Sequence, residues 1–176
     1  DQLSPTLSYL NFYFQGEPFI HNEILQFISK ASQAGIYTST STNAHFITEK
    51  KAEEIVHSGL DRILISIDGT TQEVYEQYRT HGSLQKVLDG TKHLVEARKN
   101  LKSKTPHIIF QFLVVRPNEH QIEEAKELAN EYKVDEIRFK TAQVYDYENG
   151  NPLIPTIEKY SRYKRHANGK FTVKSS

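Results

Sequence analysis

Apolar positions in this sequence follow two spacings in turn, which indicates strands alternating with helices. Short runs rich in β-branched and aromatic residues recur, and between them apolar residues return every three or four positions. The runs with strand character are residues 9–14, 36–42, 62–68, 107–115 and 136–143. The first three begin about 27 residues apart, the size of a strand–helix unit. Five such units without a hairpin signal predict an α/β fold with a parallel sheet, open or curled into a partial barrel.

Helix boundaries are predicted from apolar stripes and capping residues. A helix over residues 21–34 carries an inward stripe that includes Phe27 and closes on a glycine. Thr48 and Ser83 are in position to cap the helices that follow the second and third strands. Thr70 with Glu73 predicts a capping box for a short helix between these two. The last helix is predicted to open at Asn118 with Gln121.

The first strand, interpreted as buried, ends in a turn of sequence Gln15-Gly16-Glu17-Pro18. Glycine frees the backbone at such a turn, and proline ends any strand ladder. In α/β sheets and barrels, ligands bind at the carboxyl ends of the strands. This turn is therefore a candidate ligand contact, or else an ordinary strand-to-helix loop.

One face of each predicted strand carries polar residues. Ser66 and Asp68 share a face of the third strand, Gln111 lies on the fourth, and Arg138 and Lys140 on the fifth. A parallel sheet buried on both faces should be apolar almost throughout. The pattern predicts either a cavity lined for a polar ligand or a face open to water because part of the sheet is missing.

Composition narrows the class of protein and its partners. The 176 residues balance 22 basic against 22 acidic side chains, so we expect no broad field attracting nucleic acid or an anionic membrane. No membrane span or signal peptide is visible, and a cytoplasmic location is expected. The sequence has no cysteine, which excludes disulfides, thiol catalysis and cysteine-ligated metal. It has no methionine either, so we expect it to begin inside a longer gene product.

Two regions are expected. Residues 1–145 carry the strand–helix pattern, whereas 146–176 are interpreted as an irregular linker or tail leading to a further domain. The segment 160–170 is basic and aromatic, which fits a solvated tail better than a contact with phosphate or a partner.

The strand ends carry a set of short motifs in a particular order. They are Gln15-Gly16-Glu17-Pro18, Thr42-Asn43-Ala44 and Ser66-Ile67-Asp68-Gly69, followed by Tyr78-Arg79 and Gly82. In this order and at these spacings the chain resembles the radical S-adenosylmethionine superfamily, specifically members with a SPASM-type C-terminal domain. The resemblance covers about residues 7–145. The family usually has Gly-Gly-Glu and Thr-Asn-Gly at the first two motifs, so this chain departs from it at Gln15 and Ala44.

The resemblance implies strands two to six of a truncated partial barrel. It also implies two cofactors, S-adenosylmethionine and a [4Fe–4S] cluster, which together generate a 5′-deoxyadenosyl radical that abstracts hydrogen from a substrate. The family's cluster-binding Cys-x3-Cys-x2-Cys loop is absent and is expected upstream of Asp1, so this stretch alone should be catalytically inert. Relatives of this type modify peptides or proteins, which implies such a substrate and a reductant such as a flavodoxin or ferredoxin.

The candidate site residues follow from the resemblance and from the chemistry of S-adenosylmethionine. Gly16 and Glu17 are expected to accept from its amino group through their carbonyls, and Ser66 to bond its ribose or carboxylate. Asn43, Asp68 and Arg79 are further candidates for cofactor contacts, with a loop cap, a turn contact and a surface ion pair as their respective structural alternatives. Gln111 and Lys140 are expected nearer the substrate, although Lys140 could instead form an ion pair with a missing strand. No catalytic residue and no metal ligand is predicted.

Two other classes of function fit the same sequence. A barrel lyase or aldolase would use Lys140 as a Schiff-base amine, given a nearby acid. A non-catalytic scaffold would bind a partner through the basic C-terminal segment.

Overall fold

The computed structural model describes residues 6–174. Its strands are β1 (Tyr9–Asn11), β2 (Tyr37–Thr42), β3 (Arg62–Ser66), β4 (His107–Val114), β5 (Glu136–Thr141), β6 (Tyr163–Arg165) and β7 (Phe171–Val173). Its helices are α1 (Ile24–Gln33), α2 (Glu49–His57), α3 (Gln72–Tyr78), α4 (Leu84–Asn100) and α5 (Ile122–Glu131). Short 3-10 turns occupy Pro18–Ile20, Glu119–Gln121 and Glu158–Tyr160.

The first five strands form one sheet in the order of the sequence, β1-β2-β3-β4-β5, and every pairing is parallel. Helices α1, α2, α4 and α5 connect or follow these strands, as the alternating pattern predicts. The predicted α/β fold with a parallel sheet is therefore confirmed.

Strand register separates two faces of the sheet. Ile63 and Ile65 of β3 point to the same side as Ile108 and Phe110 of β4 and pack against the helices in the main core. Residues of the opposite parity form what we call the open face, which comprises Tyr9, Asn11, Tyr37, Ser39, Ser41, Arg62, Leu64, Ser66, His107, Ile109, Gln111, Leu113, Glu136, Arg138 and Lys140. Ser66, Gln111, Arg138 and Lys140 therefore lie on the side of the sheet opposite the helices, as predicted. Asp68, predicted to share this face, lies beyond the end of β3 and is buried.

Two of the predicted helix caps are present in the structure. The hydroxyl of Thr48 accepts from the Lys51 N–H at the start of α2, and the hydroxyl of Ser83 accepts from Lys86 at the start of α4. The capping box predicted at Thr70 is wrong, because Thr71 is the N-cap of α3.

The groups of Thr70 are engaged elsewhere. Its N–H donates to the Gln121 side chain at 2.9 Å and its hydroxyl donates to Glu124 at 2.7 Å. Asn118 does not cap α5 either, since that helix begins at Ile122 after a 3-10 turn. The side chain of Asn118 instead bonds the backbone at the ends of β3 and β4.

The first strand is shorter and more exposed than predicted. It ends at Asn11 rather than at residue 14, and Phe14 is 88% exposed. β1 is an edge strand, which among the described residues pairs with β2 alone. After Asn11 the chain leaves the ladder, and the Asn11 side chain donates to the Tyr13 carbonyl. The inward position predicted for Phe27 on α1 is also wrong, because that ring is 46% exposed.

Residues 146–174 contain regular structure. β6 and β7 form an antiparallel pair, so this part of the predicted irregular tail is a hairpin. The ring of Tyr163 is buried with Val115, Val144 and Ile154 in a small second core at the carboxyl ends of β4 and β5. The Tyr163 hydroxyl both accepts from the Val144 N–H and donates to the Val144 carbonyl. Among the residues described, no helix is long and apolar enough to cross a membrane.

Candidate functional site

The first three strands bring the predicted ligand contacts to one edge of the sheet. The Gly16 turn follows β1, Asn43 follows β2, and Ser66 ends β3. Neighbouring strands are about 4.8 Å apart, which predicts a separation of roughly 10 Å between Gly16 and Ser66 if the first strand reaches Gly16. That separation stays a prediction, because β1 ends at Asn11 and Gly16 lies in the loop that follows it. Gly16 has φ of +83°, a conformation that favours glycine.

Glu17 fastens this turn to the end of β2. Its Oε1 accepts from the Thr42 hydroxyl at 2.7 Å and from the Phe19 N–H at 3.2 Å, while Oε2 accepts from the Asn43 N–H at 2.7 Å. The Glu17 carbonyl accepts from Ile20. The side chain therefore holds the loop together, and the carbonyls of Gln15 and Gly16 accept no hydrogen bond among the residues described.

The β2 motif forms a tight turn whose backbone lies against α4. The Asn43 side-chain oxygen accepts from the His45 N–H at 3.0 Å, which leaves its amide nitrogen free within the described chain. Ala44, at the position where the family usually has glycine, has φ of +58° and is buried. Its carbonyl lies so close to Gly90 that a methyl group there would approach within 2.3 Å.

His45 follows this turn and is partly buried. Burial is the largest influence on the ring, and it lowers the pKa of His45 despite opposing effects from the Ser83 backbone and Glu17. Its Nε2 atom is buried and has no hydrogen-bond partner in the described part of the chain.

Asp68 is a structural junction between β3, β4 and α3. Its Oδ1 accepts from the Leu113 N–H at 2.9 Å and its Oδ2 accepts from Arg79 Nε at 2.6 Å. The carbonyl of Asp68 accepts from Asn118 at 2.9 Å. Burial alone would lower the pKa of Arg79, but the Asp68 carboxylate raises it above the usual value. The structure thus pairs two residues that the sequence presented as separate ligand candidates.

Unlike Asp68 and Arg79, three other candidates are not bonded to described protein groups through their side chains; they are Ser66, Gln111 and Lys140. Ser66 and Gln111 are register partners on the open face, and Lys140 pairs in register with Leu113 one strand further on. Between residues 6 and 174, none of these three side chains makes a hydrogen bond or an ion pair with the protein. Their polar groups are free to contact a ligand.

The sequence interpretation missed a cluster at the amino end of the open face. Arg62 lies over the rings of both Tyr9 and Tyr37, with its guanidinium carbon 5.7 and 5.8 Å from their centroids. The two rings are stacked, with centroids 5.8 Å apart. The three residues stand at the starts of consecutive strands with matching parity, which is a signal that could have identified them.

The residues present fit S-adenosylmethionine but not the iron–sulfur cluster. The free Ser66 hydroxyl, the free Asn43 amide nitrogen and the Gly16 carbonyl supply donors and acceptors of the kinds that the ribose, carboxylate and amino groups of that molecule need. A cluster is held by cysteine thiolates, and the sequence contains none. In the described residues there is also no group of three histidine or acidic side chains that could hold a metal.

The fold is an α/β domain whose parallel strands end at one edge of the sheet, the place where such domains bind ligands. The profile of the Radical SAM superfamily matches residues 9–129, which is more than half of the sequence. The chain belongs to this superfamily, whose members bind S-adenosylmethionine.

Solved structures share the fold at low sequence identity. Streptococcus suis SuiB bound to S-adenosylmethionine matches with a TM-score of 0.63 and 15% identity over 78% of this chain. SuiB bound to the precursor peptide SuiA matches with a TM-score of 0.59 and 16% identity over 75% of this chain, covering 28% of SuiB. A domain of pyruvate-formate lyase-activating enzyme from Bacteroides vulgatus matches with a TM-score of 0.61 and 14% identity, over 78% of this chain and 85% of that one. The chain spans 30% of the length of SuiB in its S-adenosylmethionine complex.

Proposed function

We propose that this chain is the S-adenosylmethionine-binding part of an enzyme that cleaves that compound reductively and uses the resulting radical to remove hydrogen from a peptide or protein. The observation that carries the proposal is the edge formed by Gly16, Asn43 and Ser66 in a member of the Radical SAM superfamily. The peptide substrate is supported by the likeness to SuiB bound to a precursor peptide. A SPASM-type domain and a flavodoxin or ferredoxin reductant belong to the same proposal.

The chain's own residues bind and orient in this proposal. Ser66 donates to a ribose or carboxylate oxygen, the Gly16 carbonyl accepts from the amino group, and the Asn43 amide donates to a nearby acceptor. Asp68 and Arg79 hold the ends of β3 and β4 in place around the ligand. Within residues 6–174 the two terminal nitrogens of Arg79 make no hydrogen bond, so they are available to contact a carboxylate. A [4Fe–4S] cluster, when bound, would supply the electron for cleavage, and no residue of this sequence could hold it because the sequence has no cysteine.

Ser66→Ala tests the ligand edge. We expect it to weaken S-adenosylmethionine binding by about 1–2 kcal/mol, because one polar contact is lost without disturbing the fold. The measurement is a calorimetric titration of the whole cluster-loaded enzyme of which this chain is proposed to be a part, with NMR of the isolated chain following the amide signals of Gly16, Asn43 and Ser66. Ser29→Ala on α1 is the matched control and should bind normally. Equal affinity of Ser66→Ala and the parent would place the pocket elsewhere.

The isolated chain should bind neither iron nor sulfide, because it supplies no thiolate. Anaerobic reconstitution followed by iron analysis and visible absorbance checks this expectation. A stable brown protein obtained from this chain would contradict the proposed location of the cluster.

The Schiff-base lyase is not favoured. Lys140 is exposed, and within the described chain no carboxylate lies close enough to pair with it or to transfer a proton. A non-catalytic scaffold would leave the free polar groups of Ser66 and Gln111 without a role.

A further inference from the structure

A guanidinium without a carboxylate partner lies at the amino end of the open face. Arg62 Nε donates to the Ser39 hydroxyl at 3.1 Å, and Nη2 donates to the Tyr9 hydroxyl at 2.6 Å. In residues 6–174, no carboxylate oxygen lies within 4.0 Å of it. The other arginine of this face, Arg138, is already held by two bonds to Glu136. Arg62 therefore keeps an uncompensated charge.

The position of this guanidinium is fixed before any ligand arrives. Tyr9 and Tyr37 contact it through their rings, and each ring is itself about two-fifths exposed, at 43% and 42%. Cation–π contacts of this kind, with the two hydrogen bonds, restrict the rotamers of the long side chain. Little conformational entropy is then lost when it binds an anion.

The free edge of Arg62 has the geometry of a carboxylate site. Ser39 and Tyr9 occupy the edge formed by Nε and Nη2. Nη1 and the second hydrogen of Nη2 remain available as one planar fork, which matches the two oxygens of a carboxylate. A phosphate dianion has more acceptor oxygens than this single fork can satisfy and would require further donors.

We propose that Arg62 binds an acidic side chain of the peptide substrate, with the peptide extended along the open face toward Ser66. This specificity rests on the proposed function, since it names the substrate of that same site. Arg62 and Ser66 are four residues apart on one face of β3, so their separation is about 13 Å. That distance corresponds to roughly four residues of extended peptide. The substrate therefore carries an Asp or Glu about four residues from the residue that lies beside Ser66.

The test is a titration of the ¹⁵N-labelled chain with two peptides that differ at one position, acetyl-Gly-Ala-Leu-Glu-Ala-Gly amide and its Gln counterpart. The Glu peptide should shift the Arg62 Nε–H signal and the amide signals of Tyr9, Tyr37 and Ser39, with affinity about tenfold higher than the Gln peptide. Arg62→Gln should reduce the affinity for the Glu peptide to that for the Gln peptide. Lys50→Gln, which removes the same charge from the exposed outer side of α2, should leave it unchanged.

A second variant distinguishes the loss of peptide binding from the loss of folding. Arg62→Lys keeps the charge but loses the fork, and it should weaken Glu-peptide binding several-fold while a urea midpoint close to the parent shows that it folds. Equal affinity for both peptides, no binding of either, or binding that Arg62→Gln does not change would overturn the proposal. Tighter binding of methyl phosphate than of acetate would also overturn it. S-adenosylmethionine is absent from this assay, so its outcome is independent of the Ser66→Ala result.

Discussion

Glu17 stabilises the ligand edge through contacts that reach well beyond its own turn. Its carboxylate joins the loop after β1 to Thr42 and Asn43 at the end of β2 through bonds of 2.7 Å. Hydrogen bonds to a charged group are stronger than neutral ones, and losing them leaves backbone donors unpaired. The fold therefore uses this side chain as a brace, whichever ligand the neighbouring Gly16 carbonyl contacts.

Glu17→Ala should destabilise the chain by about 2–3 kcal/mol, because three hydrogen bonds are lost together. Glu17→Gln should have a smaller effect, since one oxygen remains while the amide nitrogen opposes a backbone donor. The free energy of unfolding in urea measures both, with the exposed Glu23→Gln as the control. A Glu17→Ala variant as stable as the parent would mean that the turn is held by other contacts.

The packing of helix α4 against the turn after β2 depends on Gly90, which has no side chain. Gly90 lies in the interior of the helix, where glycine is intrinsically unfavourable by about 1 kcal/mol relative to alanine. The Ala44 carbonyl occupies the space that a side chain at Gly90 would need. Glycine at this position therefore lowers the helix propensity of α4 but allows the turn after β2 to lie close to the helix.

Gly90→Ala should destabilise the chain by about 1–3 kcal/mol, because the overlap with backbone outweighs the gain in propensity. Chemical denaturation gives the change in free energy of unfolding. Glu96→Ala, at an exposed position of the same helix, is the control and should be neutral or slightly stabilising. An equal stabilisation by both variants would show that the turn moves away from α4 without penalty.

Across the whole molecule, the amino end of the sheet is joined by carboxylates that precede strands. Asp61, just before β3, accepts from the Thr38 N–H of β2 at 2.7 Å, and Asp135, just before β5, accepts from the Ile108 N–H of β4 at 2.7 Å. Asp135 also pairs with Arg98 near the end of α4. Burial alone would raise the pKa of Asp135, but the bonds from Arg98 and Ile108 outweigh it and hold the pKa below its usual value.

This lowered pKa predicts a loss of stability in acid. A carboxylate whose folded-state pKa lies below that of the unfolded chain, about 3.9, contributes stability above that pH. The contribution disappears as the pH falls through the folded-state value. Urea midpoints between pH 6 and pH 3 should therefore decline more steeply for the parent than for Asp135→Asn, which is less stable at pH 6. Glu131→Gln, exposed at the end of α5, should follow the parent. Parallel curves for the parent and Asp135→Asn would contradict the assignment.

The periodicity of the sequence was enough to predict the parallel α/β sheet and the two faces of each strand. Side-chain direction alternates along a strand regardless of what packs against it, so Ile63 and Ile65 had to oppose Leu64 and Ser66. The helix caps at Thr48 and Ser83 were also predictable, because the donor and the acceptor of each bond lie only three residues apart.

The partners of the polar groups were decided by the tertiary structure. Thr70 was available as a cap until α5 brought Gln121 and Glu124 beside it, and Asp68 was a free carboxylate until β4 and α3 supplied Leu113 and Arg79. The length of β1 likewise depended on its place at the edge of the sheet. These hydrogen bonds connect residues up to 54 positions apart in the sequence. The sequence around a hydrogen-bonding group does not indicate which distant residue will be its partner. Sequence spacing therefore determined the framework and its faces, whereas three-dimensional proximity decided which polar residues brace the fold and which stay free for a ligand.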